Sequence, residues 1–213
     1  MKTIIMNAIA ELANENKVFH SEADFQFQLA WMIKYRENNF EIRIEKPYLI
    51  DNKNIYIDII IFDNNNNNAY AIELKYATSQ VKFNLGKETF SLKQQGATNQ
   101  KRYDYYHDIQ RLENLKNKNL IKNGYTILLT NNLGYLNEPK GVDKEFNFSN
   151  SHIINPGSYF FLEKAKQGTI KGRMKKIIIN KTYNCKWNDY LTLSLPTQKQ
   201  EKNLQFKYIM IEI

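Results

Sequence analysis

The sequence predicts a mixed α/β fold, and three observations lead to that prediction. The first 37 residues have the apolar spacing of helices, the next 40 alternate between apolar and polar side chains, and a long helical pattern then precedes a short apolar run. The 213-residue chain can bury a full core. Its hydrophobic content of 42% and charged content of 24% are those of a folded domain, which excludes a largely disordered chain.

Two helices are predicted at the start of the chain. Residues 3–16 repeat apolar side chains at helical spacing. The second helix should begin after Ser21, because Asp24 three residues later resembles a capping box, and should run to about Glu37. Its buried face should be drawn from Phe25, Leu29, Met32 and Ile33.

Three strands are predicted next, at 40–50, 54–62 and 69–77. The first alternates cleanly between apolar and polar residues, which indicates one buried face. In the second, we expect the odd-numbered isoleucines 55 to 61 to share a face. A turn at 51–53 and the asparagine-rich run 63–68 separate the strands, since asparagine favours turns. The three strands should form a meander.

The rest of the chain predicts a crossover and a β-rich extension. Residues 78–97 fit either a hairpin around Asn84 to Gly86 or a flap. A helix over 98–120 and a buried strand at 124–131 should place that strand beside the first sheet. We therefore divide the chain into a core, 1–143, and a β-rich C-terminal extension, 144–213, packed on it within one structural domain.

Composition narrows the function classes. Cys185 is the only cysteine, which excludes a disulfide framework and cysteine-rich metal sites. No apolar run reaches the roughly 18–20 residues of a membrane span, and the N-terminus lacks a signal-peptide pattern, so we expect a cytoplasmic protein. The net charge is +8, and most of the excess lies in 164–186. That segment fits a polyanion partner or a solvated surface equally well.

Asp58, Glu73 and Lys75 are the candidate catalytic residues. Each lies mid-strand in an apolar run, where a charged side chain is costly unless it is paired or binds a metal. The pleat places Glu73 and Lys75 on one face, and Asp58 can lie beside them if the strands pair. Hard oxygen ligands suit Mg²⁺ or Mn²⁺. The structural alternative is an ordinary set of cross-strand ion pairs.

These residues also carry a family resemblance. The run YID at 56–58 followed by ELK at 73–75 resembles the motif of the PD-(D/E)XK nuclease superfamily, whose fold is called restriction-endonuclease-like. The resemblance covers roughly residues 18–131, with Ile57 standing where the motif has proline. Within it, the run RYD…DI.RLE at 102–113 is similar to one in bacterial members without an assigned substrate.

The resemblance implies a metal-dependent endonuclease that hydrolyses DNA, DNA being favoured over RNA. Asp58 and Glu73 would bind the metal together with the Leu74 backbone carbonyl, and Lys75 would assist the attack. Glu22, on the preceding helix, is the candidate for a further metal ligand, and Glu45 competes with it. Because one site cuts one strand, a homodimer is a candidate assembly.

Two sets of basic residues are candidates for nucleic-acid contacts. In the helix after the motif, members often bring a glutamine or a basic residue to the scissile phosphate, and the candidates here are Gln100, Lys101, Arg102 and Arg111. The alternative is that this helix is stabilised by internal pairs such as Asp108 with Arg111. The second set lies in the basic segment and consists of Lys171, Arg173, Lys175 and Lys176.

Two other functions remain open. A non-catalytic nucleic-acid-binding protein could keep the nuclease fold, although the complete Asp, Glu and Lys set argues against it. A glycosidase could use Asp58 and Glu73 as its acid and base. Lys75 counts against the glycosidase, because an adjacent ammonium lowers the pKa of the acid that must stay protonated.

Overall fold

A six-stranded mixed sheet organises the protein. The computed structural model describes residues 1–50, 52–194 and 203–213. The helices are α1 (Lys2–Asn14), α2 (Glu22–Arg36), α3 (Thr98–Asn117) and α4 (Gln167–Ile170). The strands are β1 (Phe40–Ile50), β2 (Lys53–Asp63), β3 (Asn68–Ala77), β4 (Val81–Leu85), β5 (Glu88–Leu92), β6 (Asn123–Thr130), β7 (Ile153–Ile154), β8 (Gly157–Tyr159), β9 (Ile177–Ile179), β10 (Tyr183–Asn184), β11 (Trp187–Thr192) and β12 (Gln205–Glu212).

The strand order in the central sheet is β1-β2-β3-β6-β12-β11. β1, β2 and β3 form the predicted antiparallel meander, and α3 carries the chain across to β6, which runs parallel to β3. The prediction of a mixed α/β fold is confirmed. Asp51, in the predicted first turn, lies outside the described residues.

α1 and α2 cover one face of the sheet. The four α2 residues predicted to be buried, Phe25, Leu29, Met32 and Ile33, all lie in this core. The Ser21 hydroxyl caps the helix by accepting the Asp24 N–H at 3.1 Å. Asp24 in turn accepts the N–H of His20 at 2.9 Å, so the acid reaches the residue before the cap and not the cap itself.

α3 covers the other face together with the chain from 133 to 187. Gly124 permits the close approach, since a Cβ there would lie 2.8 Å from the Leu112 Cβ. Its buried apolar residues include Tyr103, Tyr106, Ile109, Leu112 and Leu115. No helix in the described ranges is both long enough and apolar enough to cross a membrane.

Residues 81–92 form a hairpin, which is the first of the two alternatives for this segment. β4 pairs with β5 in register from Val81 with Leu92 to Leu85 with Glu88. Gly86 makes the turn with a φ of 60°, a left-handed conformation that glycine adopts without strain.

The last third of the chain contributes to the central sheet itself. β12 inserts between β6 and β11 and is antiparallel to both. β7 pairs with β10 and β8 with β9 in two small ribbons on the α3 side. The extension thus supplies two sheet strands as well as a cover for α3.

The prediction that the odd positions of β2 share one face is wrong. Ile59 and Ile61 pack in the core under α1 and α2, whereas Ile57 belongs to the core under α3. The β1–β2 register skips the pair Glu45 and Asp58, and Glu45 has a φ of 53°. The facing of β2 side chains therefore changes between Ile57 and Ile59, at this unpaired position.

Candidate active site

The candidate site lies where β2 and β3 separate. The β2–β3 register ends at Ile59 with Ile72, one residue before Asp58 and Glu73. The Asp58 side chain replaces the missing strand pairing, because its Oδ2 accepts the Leu74 N–H at 2.6 Å. The Asp58 carbonyl is held from the other side by Gln26 Nε2 at 2.6 Å. Asp58 therefore occupies a defined position beside the backbone of residues 73–75.

Glu22, like Asp58, accepts a hydrogen bond from a backbone N–H of β3. It is the first residue of α2, and its Oε2 accepts the Tyr76 N–H at 2.8 Å. The same oxygen lies 3.6 Å from Lys101 Nζ on α3. Glu22 and Asp58 thus bind alternate N–H groups of one strand edge, which places Glu22 beside the site and not in bulk solvent.

Glu73 and Lys75 face α3. The Glu73 side chain is 1% exposed, and its Oε1 lies 3.2 Å from Arg111 Nη2. Lys75 Nζ lies 2.7 Å from Asp108 Oδ2 and donates a hydrogen bond to the Leu74 carbonyl at 2.9 Å. The pleat thus brings both motif residues to one face.

α3 closes the site with an aspartate and an arginine. Arg111 lies 3.8 Å from Asp108, which is the predicted ion pair within the helix. Arg111 also donates a hydrogen bond to the Tyr56 carbonyl. We call Asp58, Glu73, Lys75, Asp108 and Arg111 the charge cluster. With every group ionised, three acids and two bases leave it one negative charge.

Burial and like charges raise the pKa of both motif acids. The Asp58 pKa is raised chiefly by desolvation, against the opposing effects of Lys75 and the Leu74 N–H. The Glu73 pKa is raised well above its ordinary value by desolvation and then by the Asp108 and Asp58 charges, although Arg111 and Lys75 oppose this. Both acids would be easier to ionise with a further cation between them.

The Lys75 pKa is raised, which is the opposite of what burial alone does. Desolvation lowers it, but the carboxylates of Asp108, Glu22 and Asp58 together outweigh that effect. The ammonium is therefore charged at neutral pH, and its chemistry is that of a fixed positive charge and hydrogen-bond donor.

The site contains oxygen donors of the kind that divalent cations bind. Glu73 Oε1 is buried and has the Arg111 guanidinium 3.2 Å away, but no contact among the described residues meets hydrogen-bond geometry. Asp58, on the neighbouring strand, and the Leu74 carbonyl between the two acids offer further hard oxygens. Among the described residues, no group of three or more His, Cys, Asp or Glu side chains is already arranged to hold a metal. A cation here would draw on two carboxylates, a carbonyl and water.

The other predicted residues have different surroundings. Glu45 is exposed and accepts from Gln26 Nε2 at 3.2 Å, which places it near Asp58. Arg102 is 4% exposed, and its guanidinium donates to the carbonyls of Gly134, Tyr135 and Asn137. A guanidinium so held does not reach a bound phosphate, and we leave Arg102 out of the nucleic-acid interface.

The basic segment 164–186 packs against α3. Gln100 donates to the carbonyls of Gly168 and Thr169, and Arg173 forms a bidentate pair with Asp104, both contacts at 2.7 Å. Lys171, Lys175 and Lys176 are exposed. The same helix reaches the site through Lys101, Asp108 and Arg111. Asp104, which holds the segment, lies on nearly the same helix face as Asp108 and Arg111.

Sequence reasoning did not identify Asp108 and Gln26 as site residues. Asp108 was expected only as a helix-internal partner, yet it lies three residues after Tyr105 and four before Leu112, on the buried stripe of α3. A carboxylate at a core position of a helix was the available signal. Gln26 likewise lies on the buried face of α2.

Comparison with known proteins adds no relative. No family model matches the chain, and no curated protein or solved structure matches it.

Proposed function

We propose that this protein is a metal-dependent endonuclease of the PD-(D/E)XK type that hydrolyses DNA. The observation that carries the proposal is the meeting of Asp58, Glu73 and Lys75 around the Leu74 peptide, at the point where β2 and β3 separate. Two carboxylates, which are hard oxygen donors, and a charged lysine beside the Leu74 peptide are the components of a phosphodiester-hydrolysing site. The meander and parallel crossover agree with the fold that the motif implies.

Each residue of the site has a role in this proposal. Asp58, Glu73 and the Leu74 carbonyl would hold Mg²⁺ or Mn²⁺, with Glu22 beside them on the β3 edge. When bound, such an ion lowers the pKa of water and offsets charge on a phosphate. Lys75 keeps its proton and donates toward a phosphate oxygen or the attacking water. Asp108 and Arg111 position Lys75 and Glu73 from α3.

The substrate path follows from the charge distribution. Lys171, Lys175 and Lys176 are exposed on the segment that contacts α3 at Gln100 and Asp104. Asp104 lies on the same face of α3 as Asp108 and Arg111, which contact the site. A phosphate backbone that neutralises these lysines would pass close to the charge cluster. Sequence-independent contacts of this kind supply most non-specific DNA affinity.

Cleavage of a supercoiled plasmid tests the proposal. We expect nicking or linearisation with Mg²⁺ or Mn²⁺, its loss with EDTA, and at least a 100-fold loss of rate in Lys75→Ala. Lys93→Ala, an exposed lysine after the hairpin, is the matched control and should keep wild-type activity. A Lys75→Ala protein that cleaves at the wild-type rate would refute the assignment, as would cleavage that persists in EDTA.

A non-catalytic nucleic-acid-binding protein is the second candidate, and one observation favours it. Lys75, Glu73 and Asp108 already have ion-pair partners inside the protein, as in a purely structural cluster. This candidate requires salt-dependent DNA binding without metal-dependent cleavage of DNA or of an RNA of equal length. It also requires Lys75→Ala to leave binding unchanged.

A further inference from the structure

An apolar groove lies within the most basic part of the chain. It is formed by residues 160–165 and 170–176 and has a volume of about 240 Å³. Met174 is 79% exposed and Phe160 is 41% exposed, so both present apolar surface to solvent. Glu163, Arg173 and Lys176 contribute charged groups to its lining. We call its apolar lining the apolar groove, which consists of Phe160, Phe161, Leu162, Ala165, Ile170 and Met174.

α3 holds the apolar groove in shape. Phe161 is 8% exposed and stacks on the Tyr103 ring, with 5.4 Å between centroids and 10° between the ring planes. The Tyr103 hydroxyl donates to the Lys175 carbonyl at 3.0 Å, and Arg173 forms its bidentate pair with Asp104. Both sides of the groove are therefore attached to one helix. A groove that is formed before its ligand arrives binds at a lower entropic cost.

The charges around the groove are mostly free to meet a ligand. Residues 160–176 contain six basic side chains and one acid, Glu163. Asp104 neutralises Arg173, so the balance is six minus two, or +4. Lys171 and Lys175 are exposed, and neither ammonium has a partner in the part of the chain that the structure describes. The ligand that fits both features carries several negative charges beside an apolar surface.

We infer that the apolar groove binds an unpaired base of a nucleic-acid strand, while the neighbouring lysines contact the phosphates on either side of it. Aromatic side chains inside a positively charged groove are the general means of binding single strands, because every base has an apolar face. A duplex keeps those faces inside its stack. The volume is below the roughly 300–1,000 Å³ of sites that enclose drug-sized ligands, which suits a single ring system.

The position of the groove relative to the charge cluster favours nucleic acid over a lipid surface. Asp104, which holds the groove through Arg173, precedes Asp108 by four residues, or about 6 Å along α3. A strand in the groove would therefore pass near the charge cluster. A lipid surface is usually bound by a long amphipathic helix, whereas the helix within residues 160–176, α4, has four residues.

The inference names a substrate class for the proposed nuclease, namely DNA with a single-stranded segment. It rests on the proposed function for the choice of DNA as the partner, but it does not require hydrolysis. Binding can therefore be measured in EDTA, where no metal-dependent cleavage takes place.

Fluorescence anisotropy with two single-stranded oligonucleotides of about 20 nucleotides tests the inference. One carries normal bases and the other is abasic throughout, so their charges are equal. We expect wild-type protein to bind the first at least about 5-fold more tightly, which is the low end for stacking of one base on an aromatic side chain. Phe160→Ala and Met174→Ala should each reduce this preference and leave the salt dependence of binding unchanged, because neither alters a charge.

Leu49→Ala is the matched control, at a 69% exposed apolar residue of β1 outside the basic segment, and should keep the wild-type preference. Equal wild-type affinity for the two oligonucleotides would overturn the inference. It would also be overturned if both groove variants kept the full preference, or if Leu49→Ala lost it equally. Met174→Ala decides the matter alone if Phe160→Ala fails to fold, since its side chain is the more exposed.

Two further results separate this inference from its alternatives. Binding to phosphatidylserine vesicles that the groove variants abolish, with oligonucleotide binding intact, would assign the groove to a lipid surface and overturn the inference. A protein that shows the base preference but never cleaves DNA would refute the nuclease proposal and support the groove. Cleavage of plasmid without any base preference would do the reverse.

Discussion

Asp108 is the carboxylate that does most to raise the pKa of Lys75. The two side chains are 4% and 14% exposed and their charged atoms are 2.7 Å apart. Without its partner, a buried ammonium keeps its desolvation cost and loses the nearest compensating charge. Asp108 is therefore a positioning residue whose removal should affect both stability and reaction.

The first prediction concerns Asp108→Asn. We expect the free energy of unfolding in urea to fall by about 3 kcal/mol, because the substitution leaves Lys75 and Arg111 short of a buried partner. Asp104→Asn is the control, since Asp104 forms a comparable pair with Arg173 but at roughly a quarter exposure. That pair should contribute less than about 1 kcal/mol. Equal losses of unfolding free energy in the two variants would show that burial does not make the Asp108–Lys75 pair stronger than the Asp104–Arg173 pair.

The second prediction concerns Glu73 and pH. Its folded-state pKa is raised above the ordinary 4.5 mainly by burial, so between 4.5 and the raised value the folded protein binds the proton that the unfolded chain releases. The contribution of Glu73 to stability is thus greatest below 4.5 and is lost as the pH rises through the folded pKa.

Glu73→Gln removes this dependence. Relative to wild type, the variant should gain unfolding free energy between pH 5 and pH 8 in the absence of metal, while it loses metal-dependent cleavage. Glu88→Gln, at an exposed position of the hairpin, should show no such gain. A difference between Glu73→Gln and wild type that is constant over this range would contradict the raised pKa.

At the scale of elements, the site depends on the separation of β2 from β3. The strand pairing stops at Ile59 and Ile72, and carboxylates from β2 and α2 then bind the Leu74 and Tyr76 N–H groups. These donors would otherwise be left without partners at a strand edge. The same hydrogen bonds that satisfy the backbone therefore place the acids beside one another.

The third prediction concerns the basic segment. Changing Lys171, Lys175 and Lys176 to glutamine should weaken duplex DNA binding at every sequence. The slope of log affinity against log salt should become shallower by up to about 2.7, or about 0.9 for each phosphate that the variant no longer neutralises. Arg173 is left in place because its pair with Asp104 holds the segment to α3.

Three exposed lysines outside the segment provide the control for this measurement: Lys53, Lys122 and Lys144. Their replacement by glutamine removes the same charge, and the slope of log affinity against log salt should stay close to that of the wild-type protein. If both triple variants change the slope equally, the segment is an ordinary solvated surface.

At the scale of the whole molecule, the last strand of the chain connects the C-terminal extension to the core sheet. β12 lies between β6 and β11, and Leu204, Phe206, Tyr208, Ile209, Ile211 and Ile213 are buried. Each such side chain contributes about 1.5–3 kcal/mol by burial. Their sum is comparable to the whole stability of a typical domain, about 5–15 kcal/mol.

The fourth prediction is that a chain ending at residue 194 does not fold. We expect it to lack the cooperative urea transition that circular dichroism should show for the full chain, because β6 loses a neighbour and both cores lose apolar cover. Gln205→Ala, at a partly exposed position of β12, is the control and should retain the transition. A cooperative transition in the truncated chain would show that residues 1–194 fold without β12.

The sequence by itself determined the elements and the candidate acids. Periodicity located α2, α3 and the meander to within a few residues, because the spacing of apolar side chains follows directly from helix and strand geometry. Asp58, Glu73 and Lys75 were identifiable for the same reason, since a charge inside an apolar strand conflicts with the local pattern.

Only the tertiary structure decided the rest. The facing of β2 side chains switches between Ile57 and Ile59, where Glu45 and Asp58 drop out of the strand pairing, and no local pattern encodes that switch. Asp108 meets Lys75 across 33 positions of chain, and β12 enters a sheet begun more than 160 residues earlier. Contacts between distant segments depend on how helices and strands pack, and periodicity reports only which side of each element is apolar.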